Sequence, residues 1–270
     1  QSVRECVSIT SCDLAGCYDR IIHTAAALAM LRIGVSHSRI KSMFSSIQKM
    51  IHRIRTAFED SDFTYGGDDI GEWENYSQGV LQGNKAEPDI WSVLSSVIFD
   101  ILRSRGFGST IMSAISKQLF TLVKFAYVDD CDLLQVGKDP LKVMSSMQAL
   151  INSWGAFMEV TGGAIRTDKS WWYLIDYVWK RGKWVASDPD VNLDLVAQDV
   201  DGTRVSLSRL RCDEAAQMLG VWIAPSGDNT KIVQSLKKDA VQWGGKVRHS
   251  HSTPEEAWTA LHCNISAKLK

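Results

Sequence analysis

Two adjacent carboxylates, Asp129 and Asp130, stand between two apolar stretches that predict strands at about 119–127 and 132–136. At such a hairpin tip the strands stay buried while the carboxylates reach solvent. A third acid, Asp13, ends an earlier apolar stretch at 6–12. If the two strands are neighbours in one sheet, Asp13 and Asp129 converge on the same edge.

Facing carboxylates repel, and the repulsion raises the pKa of one of them unless a divalent cation neutralises the pair. A site built only from oxygen suits Mg²⁺, which takes carboxylates, water and substrate phosphates as ligands. Two such ions, about 3.5–4 Å apart, stabilise an in-line displacement at phosphorus. If the two strands are neighbours, the three acids suit metal-assisted phosphoryl transfer; an ordinary surface turn is the other interpretation of Asp129 and Asp130.

The composition excludes several classes of protein. The chain has 270 residues, is 45% hydrophobic and carries 30 Lys+Arg against 31 Asp+Glu, which is unlike a disordered segment. Its net charge of -1 gives no basic field over the whole chain. No apolar stretch approaches the roughly 20 residues of a membrane-spanning helix, so we expect no membrane partner. The six cysteines form no C-x-x-C pair, which favours reduced thiols and an intracellular location.

Charge is nevertheless uneven along the chain. Residues 21–58 contain six Lys/Arg and no acid, and residues 59–74 contain seven acids and no Lys or Arg. The near-neutral sum thus hides a basic segment followed by an acidic loop. The basic segment is either a phosphate-contacting surface or a solvated face, and the sequence leaves both open.

The order of predicted elements favours an α+β domain with an antiparallel sheet, because helices and strands do not alternate as in a doubly wound sheet. Apolar residues at helical spacing and end signals predict helices at about 18–32, 37–50, 88–104, 140–160, 229–243 and 254–268. Alternating or β-rich stretches around turn residues predict strands at about 6–12, 53–56, 119–127, 132–136, 171–179, 183–186, 196–200, 203–207 and 218–223.

Five short motifs stand in an order that resembles a reverse transcriptase, most like those of non-LTR retroelements and group II introns. Residues 13–21 look like the palm motif D-x-x-x-A-[YF]-D-x-[VI], with Cys17 at the Ala position. Residues 79–88 resemble G-V-x-Q-G-D-x-x-S-P, with Asn84 for Asp and Glu87 for Ser. Residues 127–130 are similar to Y-x-D-D, residues 161–170 to a later Gly-then-Lys motif, and residues 219–221 to the strand that grips the primer.

The resemblance implies a polymerase right-hand palm with an antiparallel sheet flanked by helices. Partial fingers and palm would occupy residues 1–225, and a helical thumb would begin at 226–270. Only twelve residues precede Asp13, so we expect the N-terminal fingers to be missing and the chain alone to polymerise weakly or not at all. The stretch at 171–215 is longer than the usual connection of the family.

The resemblance also implies an activity: RNA-templated DNA synthesis with an RNA template, a DNA or RNA primer and dNTPs. Asp13 and Asp129 would hold two Mg²⁺ ions, or Mn²⁺ in their place, with Asp130 as a further ligand. Lys169 would protonate or stabilise the leaving pyrophosphate. The alternatives are a decayed, non-catalytic retroelement palm and an RNA-dependent RNA polymerase.

The same family pattern implies how the nucleotide is bound. Gln82 and Gly83 would line the nucleotide and template side, where a glycine lets the backbone come close. Tyr18, five residues after Asp13, would pack under the sugar and exclude a 2′-hydroxyl, which favours deoxynucleotides; simple core packing is the other interpretation. Four of the ten tryptophans gather on the predicted hairpin near 171–184, where base stacking and hairpin packing both remain open.

Overall fold

The computed structural model describes residues 4–55, 57, 59–66, 79–80, 86–113, 115–127, 130–218, 221–261 and 263. The chain divides into two compact units. The first comprises residues 1–176 and 189–209, and the second comprises residues 177–188 and 210–270.

The described residues form six helices and fourteen strands. The helices are α1 (His23–Arg32), α2 (His37–Gln48), α3 (Glu87–Ser104), α4 (Pro140–Thr161), α5 (Thr230–Arg248) and α6 (Pro254–Ala260). The strands are β1 (Cys6–Leu14), β2 (Ile51–Arg55), β3 (Asp60–Gly66), β4 (Ser109–Met112), β5 (Leu119–Leu122), β6 (Lys124–Tyr127), β7 (Asp130–Gly137), β8 (Ile165–Lys180), β9 (Lys183–Ser187), β10 (Val196–Gln198), β11 (Arg204–Ser206), β12 (Ser208–Leu210), β13 (Ala216–Met218) and β14 (Val221–Ile223).

The main sheet has the strand order β12-β8-β1-β7-β6, and β9 pairs with β8. Strand β1 pairs antiparallel with both β7 and β8, and β6 pairs antiparallel with β7. Along β1, buried and half-buried residues alternate strictly, as expected for a strand with one face on the core. The predicted α+β class, with an antiparallel sheet flanked by helices, is confirmed.

Helix α4 covers the buried face of this sheet. Its fully buried side chains Met147, Leu150, Ile151 and Trp154 fall at helical spacing and belong to the same core cluster as Leu133 of β7. Asp139 accepts a hydrogen bond from the Leu141 N–H at 3.0 Å and caps the helix, with proline at its first position. These start signals are the ones on which the prediction of this helix was based.

The ammonium of Lys124 is buried inside this core. Lys124 of β6 is 8% exposed, and its Nζ lies 3.5 Å from the ring centroid of Phe99 and 4.4 Å from that of Trp154. The same ammonium donates to the Cys131 Sγ at 3.5 Å. Burial lowers the pKa of Lys124, and the nearby thiol and the two rings offset part of the cost of keeping it charged.

Several predicted boundaries are wrong. The strand predicted at 119–127 is two strands, since β5 pairs with β4 while β6 pairs with β7. Residues 60–66, predicted as part of an acidic loop, pair with β2, and the strand predicted at 218–223 is the β13–β14 hairpin. Apolar alternation shows that a stretch is extended but does not show which partner it pairs with. Helix α1 begins at His23 rather than at 18.

No helix among the described residues is long and apolar enough to cross a membrane.

Gly162 ends α4 with a φ of 90°, and a Cβ there would overlap the carbonyl oxygen of Arg20. We expect Gly162→Ala to lower the free energy of unfolding by at least about 2 kcal/mol, because it combines a strained φ with a backbone overlap. Gly155→Ala, in the same helix, is the matched control: its Cβ would lie 3.7 Å from Ile165 Cδ1, an ordinary contact. Urea unfolding measures both, and equal effects would contradict the close approach at Gly162.

Replacing the buried ammonium of Lys124 should raise stability at neutral pH. We expect Lys124→Met to be more stable by about 1 kcal/mol or more, since a buried charge costs more to desolvate than its contacts return. Because folding lowers the pKa of Lys124, the unfolded chain binds more protons between that value and about 10.4, so stability rises with pH in this window. Thermal unfolding measured from pH 7 to 10 should therefore show the stability of the wild type rising relative to that of Lys124→Met. A constant difference would refute this account.

Candidate active site

The central pairing of the sheet places two of the predicted acids at one end. In the register of β1 and β7, Cys12 faces Cys131, so Asp13 and Asp130 are the next residues of their strands at the same end. Neighbouring strands lie about 4.8 Å apart, which puts the two backbones side by side. Asp130 is exposed, and the Asp13 side chain is 32% exposed. The two strands are therefore neighbours in one sheet, which is the condition for Asp13 and Asp129 to converge. Asp129 itself lies outside the described residues.

The third predicted residue, Lys169, reaches the same place through an irregularity in β8. Ser11 pairs with Trp171 but Asp13 pairs with Arg166, so two steps along β1 face five steps along β8. Three extra residues therefore bulge out of β8 opposite Cys12. Lys169 lies in this bulge, and its Nζ is 4.0 Å from Asp13 Oδ2. Neither regular pairing nor sequence spacing would predict this approach.

The hydroxyl of Ser170 holds the bulge closed. Ser170 is 2% exposed; its Oγ accepts from the Asp13 N–H at 3.1 Å and donates to the Arg166 carbonyl oxygen at 2.7 Å. The Thr167 N–H is also bound, by Asp199 Oδ1 at 3.2 Å. The backbone around Asp13 and Lys169 is thus fixed by side chains. Sequence reasoning gave Ser170, the last residue of the Gly-then-Lys motif, no role of its own, and it missed Asp199, which belongs to none of the five motifs.

Charged side chains of both signs lie near Asp13. The Arg166 guanidinium donates to both oxygens of Asp168, at 3.2 and 2.8 Å, and this hydrogen bonding lowers the pKa of the Asp168 carboxyl. The pKa of Arg166 is raised, first by Asp168 and further by the charges of Asp13 and Asp199. The Lys169–Asp13 pair is half-exposed and contributes little to stability. Its consequence is that the Lys169 ammonium lies beside the Asp13 carboxylate.

Asp132 is an acid near the site that the sequence did not single out. It follows Asp130 by two residues in β7 and so shares its face of the strand. Burial raises the pKa of Asp132; a hydrogen bond from Ser11 opposes this and the charge of Asp130 adds to it. The alternation of acids at 130 and 132 was the available signal.

Tyr18 is buried, with 9% exposure, in the turn between β1 and α1. Its carbonyl oxygen accepts from the Val80 N–H at 2.9 Å, and a Cβ on Gly79 would overlap that same oxygen. His23 Nε2 donates to the Gly79 carbonyl oxygen at 2.9 Å and ties this contact to α1. The beginning of the second motif therefore packs on the first. Gln82 and Gly83 lie outside the described residues, and the roles of all three in binding nucleotide stay predictions.

The same turn is held on its other side by the end of α4. The Ala15 N–H donates to the Ala164 carbonyl oxygen at 2.9 Å, and the Ile22 N–H donates to that of Thr161 at 2.9 Å. Gly162 lies between them against Arg20. The loop that follows Asp13 is therefore fixed from two sides by backbone contacts.

The side chains present fit a hard cation better than a soft one. Asp13 and Asp130 offer carboxylate oxygens at an accessible strand end. The adjacent residues of the two strands are Cys12 and Cys131, and burial raises the pKa of Cys131 to about 11 and that of Cys12 well above its ordinary value. Both therefore stay thiols, which do not ligate as a thiolate does. No cluster of three metal-ligating residues occurs among the described residues, a set that does not include Asp129.

No protein-family model matches the chain, and no curated protein matches it. Three solved structures of telomerase are similar to it. The telomerase of Candida tropicalis, in complex with a TWJ fragment of telomeric RNA, is 13% identical with a TM-score of 0.45 over 99% of this chain. Apo Candida tropicalis telomerase, truncated from its C-terminal domain, is 12% identical with a TM-score of 0.42. Candida albicans telomerase, in complex with a TWJ fragment of telomeric RNA, is 14% identical with a TM-score of 0.41, and each match covers 74% of this chain.

This chain spans about a third of each telomerase, at 38%, 34% and 31% of their lengths. With TM-scores below 0.5 and identities of 12–14%, this likeness supports no argument about fold or activity. The activity has to be argued from the residues of the site.

Ser170→Ala tests the closure of the bulge. The substitution leaves the Asp13 N–H without its acceptor, so we expect the free energy of unfolding to fall by about 1–3 kcal/mol. Hydrogen exchange at the Asp13 amide should also accelerate. Ser145→Ala, at an exposed position in α4, is the control and should change stability by less than about 0.5 kcal/mol. Unchanged exchange at Asp13 would show that Ser170 does not hold this backbone.

Proposed function

We propose that this chain is the palm of an RNA-templated DNA polymerase that adds deoxynucleotides to a primer 3′-hydroxyl. The observation that carries the proposal is the meeting of Asp13, Asp130 and Lys169 at one end of the central strand pair. The motifs around these residues stand in the order of the reverse transcriptases of non-LTR retroelements and group II introns, which supports a retroelement origin.

Asp13, Asp129 and Asp130 would hold the two Mg²⁺ ions, because their carboxylates are the oxygen donors that this ion prefers. When bound, Mg²⁺ lowers the pKa of a hydroxyl and neutralises charge that develops on the phosphate oxygens.

The remaining residues bind and orient the reactants. The Lys169 ammonium, fixed by the β8 bulge near Asp13, would donate to the oxygens of the leaving pyrophosphate and supply it with a proton. Tyr18, whose backbone is held by Val80, would present its ring to the sugar and leave no room for a 2′-hydroxyl. The approach of Lys169 to Asp13 supports the first of these roles, and the backbone contact of Tyr18 with Val80 supports the second.

Primer extension tests the proposal. The protein, expressed from its complete open reading frame, is given an RNA or a DNA template, an annealed primer, Mg²⁺ and either dNTPs or rNTPs. We expect dNTP incorporation on RNA, reduced at least about a hundredfold by Asp13→Asn or Asp130→Asn, since each removes a charge that the transition state needs. Asp194→Asn, at an exposed position outside the site, should retain full activity.

A binding measurement separates loss of chemistry from loss of the metal. Mn²⁺ affinity, followed by electron paramagnetic resonance, should fall in Asp13→Asn and stay unchanged in Asp194→Asn. Incorporation of ribonucleotides only would instead identify an RNA-dependent RNA polymerase. Absence of both incorporation and Mn²⁺ binding would favour a decayed, non-catalytic palm.

A further inference from the structure

The tip of the β8–β9 hairpin, in the second unit, exposes two tryptophans. Trp179 is 60% exposed and Trp184 is 38% exposed. Their ring centroids lie 5.3 Å apart with an interplanar angle of 73°. An edge-to-face pair uses the edge of one ring and one face of the other, so it holds both rings in place and leaves ring faces open. Hairpin packing, one of the two interpretations of these tryptophans, accounts for their mutual contact but not for their exposure.

Three cations lie between the two tryptophans along the hairpin. Lys180, Arg181 and Lys183 are all exposed, and among the described residues none of them has a carboxylate partner. Arg181 and Gly182, with φ of 48° and 77°, form a tight turn that keeps the cations together. Like charges gathered on a hairpin disfavour it, so the cluster does not serve stability alone.

The charge of the second unit points the same way. Eleven Lys/Arg and seven Asp/Glu fall within it, while the first unit has nineteen against twenty-four. The near-neutral net charge of the chain is therefore the sum of a negative net charge on the first unit and a positive net charge on the second unit. A polyanion would be attracted to the unit that carries the hairpin.

We propose that the tip formed by Trp179, Lys180, Arg181, Lys183 and Trp184 is a binding surface for single-stranded nucleic acid. Unpaired bases stack on tryptophan whatever their identity, and neighbouring cations hold the phosphates between them. A duplex hides its base faces and offers only phosphate, so the rings select for a single strand. This binding does not require the proposed polymerase site to be active.

Fluorescence anisotropy of a labelled twelve-residue oligouridylate with the full chain, without metal or nucleotide, measures the interaction. We expect Trp179→Ala to weaken binding about fivefold to a hundredfold, the effect of losing one stacked base, and Trp179→Phe to restore most of it. Lys183→Gln should lower the slope of log affinity against log salt by about 0.7. Trp258→Ala is the matched control, because Trp258 is 63% exposed in the same unit but follows Glu255 and Glu256.

Thermal unfolding of each variant excludes loss of the fold, and Lys183→Gln, at an exposed position of the same tip, keeps the test valid if Trp179→Ala proves unstable. Oligouridylate binding that is equally strong in the wild type, Trp179→Ala and Lys183→Gln would overturn the proposal. So would equal affinity for a duplex of the same length. Binding to anionic phosphatidylserine vesicles but not to oligouridylate would assign the tip to a membrane surface instead. Because no catalytic step is measured, failure of primer extension leaves this result unaffected.

Discussion

The antiparallel pairing of β1 with β7 is the constraint on which the rest of the first unit depends. Both strands bury one face under α4, and a slip of one residue would move every buried side chain of β1 to the open face. The register that faces Cys12 with Cys131 is therefore fixed by the core. The same register carries Asp13 and Asp130 to one accessible end, so the packing of the interior sets the position of the polar site.

Beyond the ends of β1 and β7, close backbone contacts fix the position of the turn that follows Asp13. The turn after Asp13 lies between Gly79 on one side and Gly162 on the other, and both are positions where any side chain would overlap the backbone of 18–20. Hydrogen bonds from Val80 and to Thr161 complete the contact. The motifs that contain Gly79 and Gly162 thus pack against the motif that contains Asp13. This close packing requires glycine at both positions, and neither glycine needs a role in chemistry.

Charge shows how a whole-chain sum conceals its distribution. The count of 30 against 31 argues against a basic nucleic-acid-binding protein, yet the second unit has four more basic than acidic residues and the first unit has five more acidic than basic residues. Within the first unit the carboxylates include those at the strand end, where oxygen ligands are useful. In the second unit, three cations that have no carboxylate partner among the described residues lie between two exposed tryptophans of the hairpin. Each surface therefore has an electrostatic character that the net charge does not express.

The sequence by itself determined the class of the fold, because apolar periodicity and end signals such as Asp139-Pro140 act locally. It also identified Asp13 and Asp130, since an acid at the end of an apolar stretch can be recognised without knowing its neighbours. The tertiary structure alone decided the splitting of the stretch at 119–127, the bulge that brings Lys169 to Asp13, and the closure of that bulge by Ser170. These depend on pairing between residues up to 157 positions apart, and a local pattern carries no information about which distant strand will supply the partner.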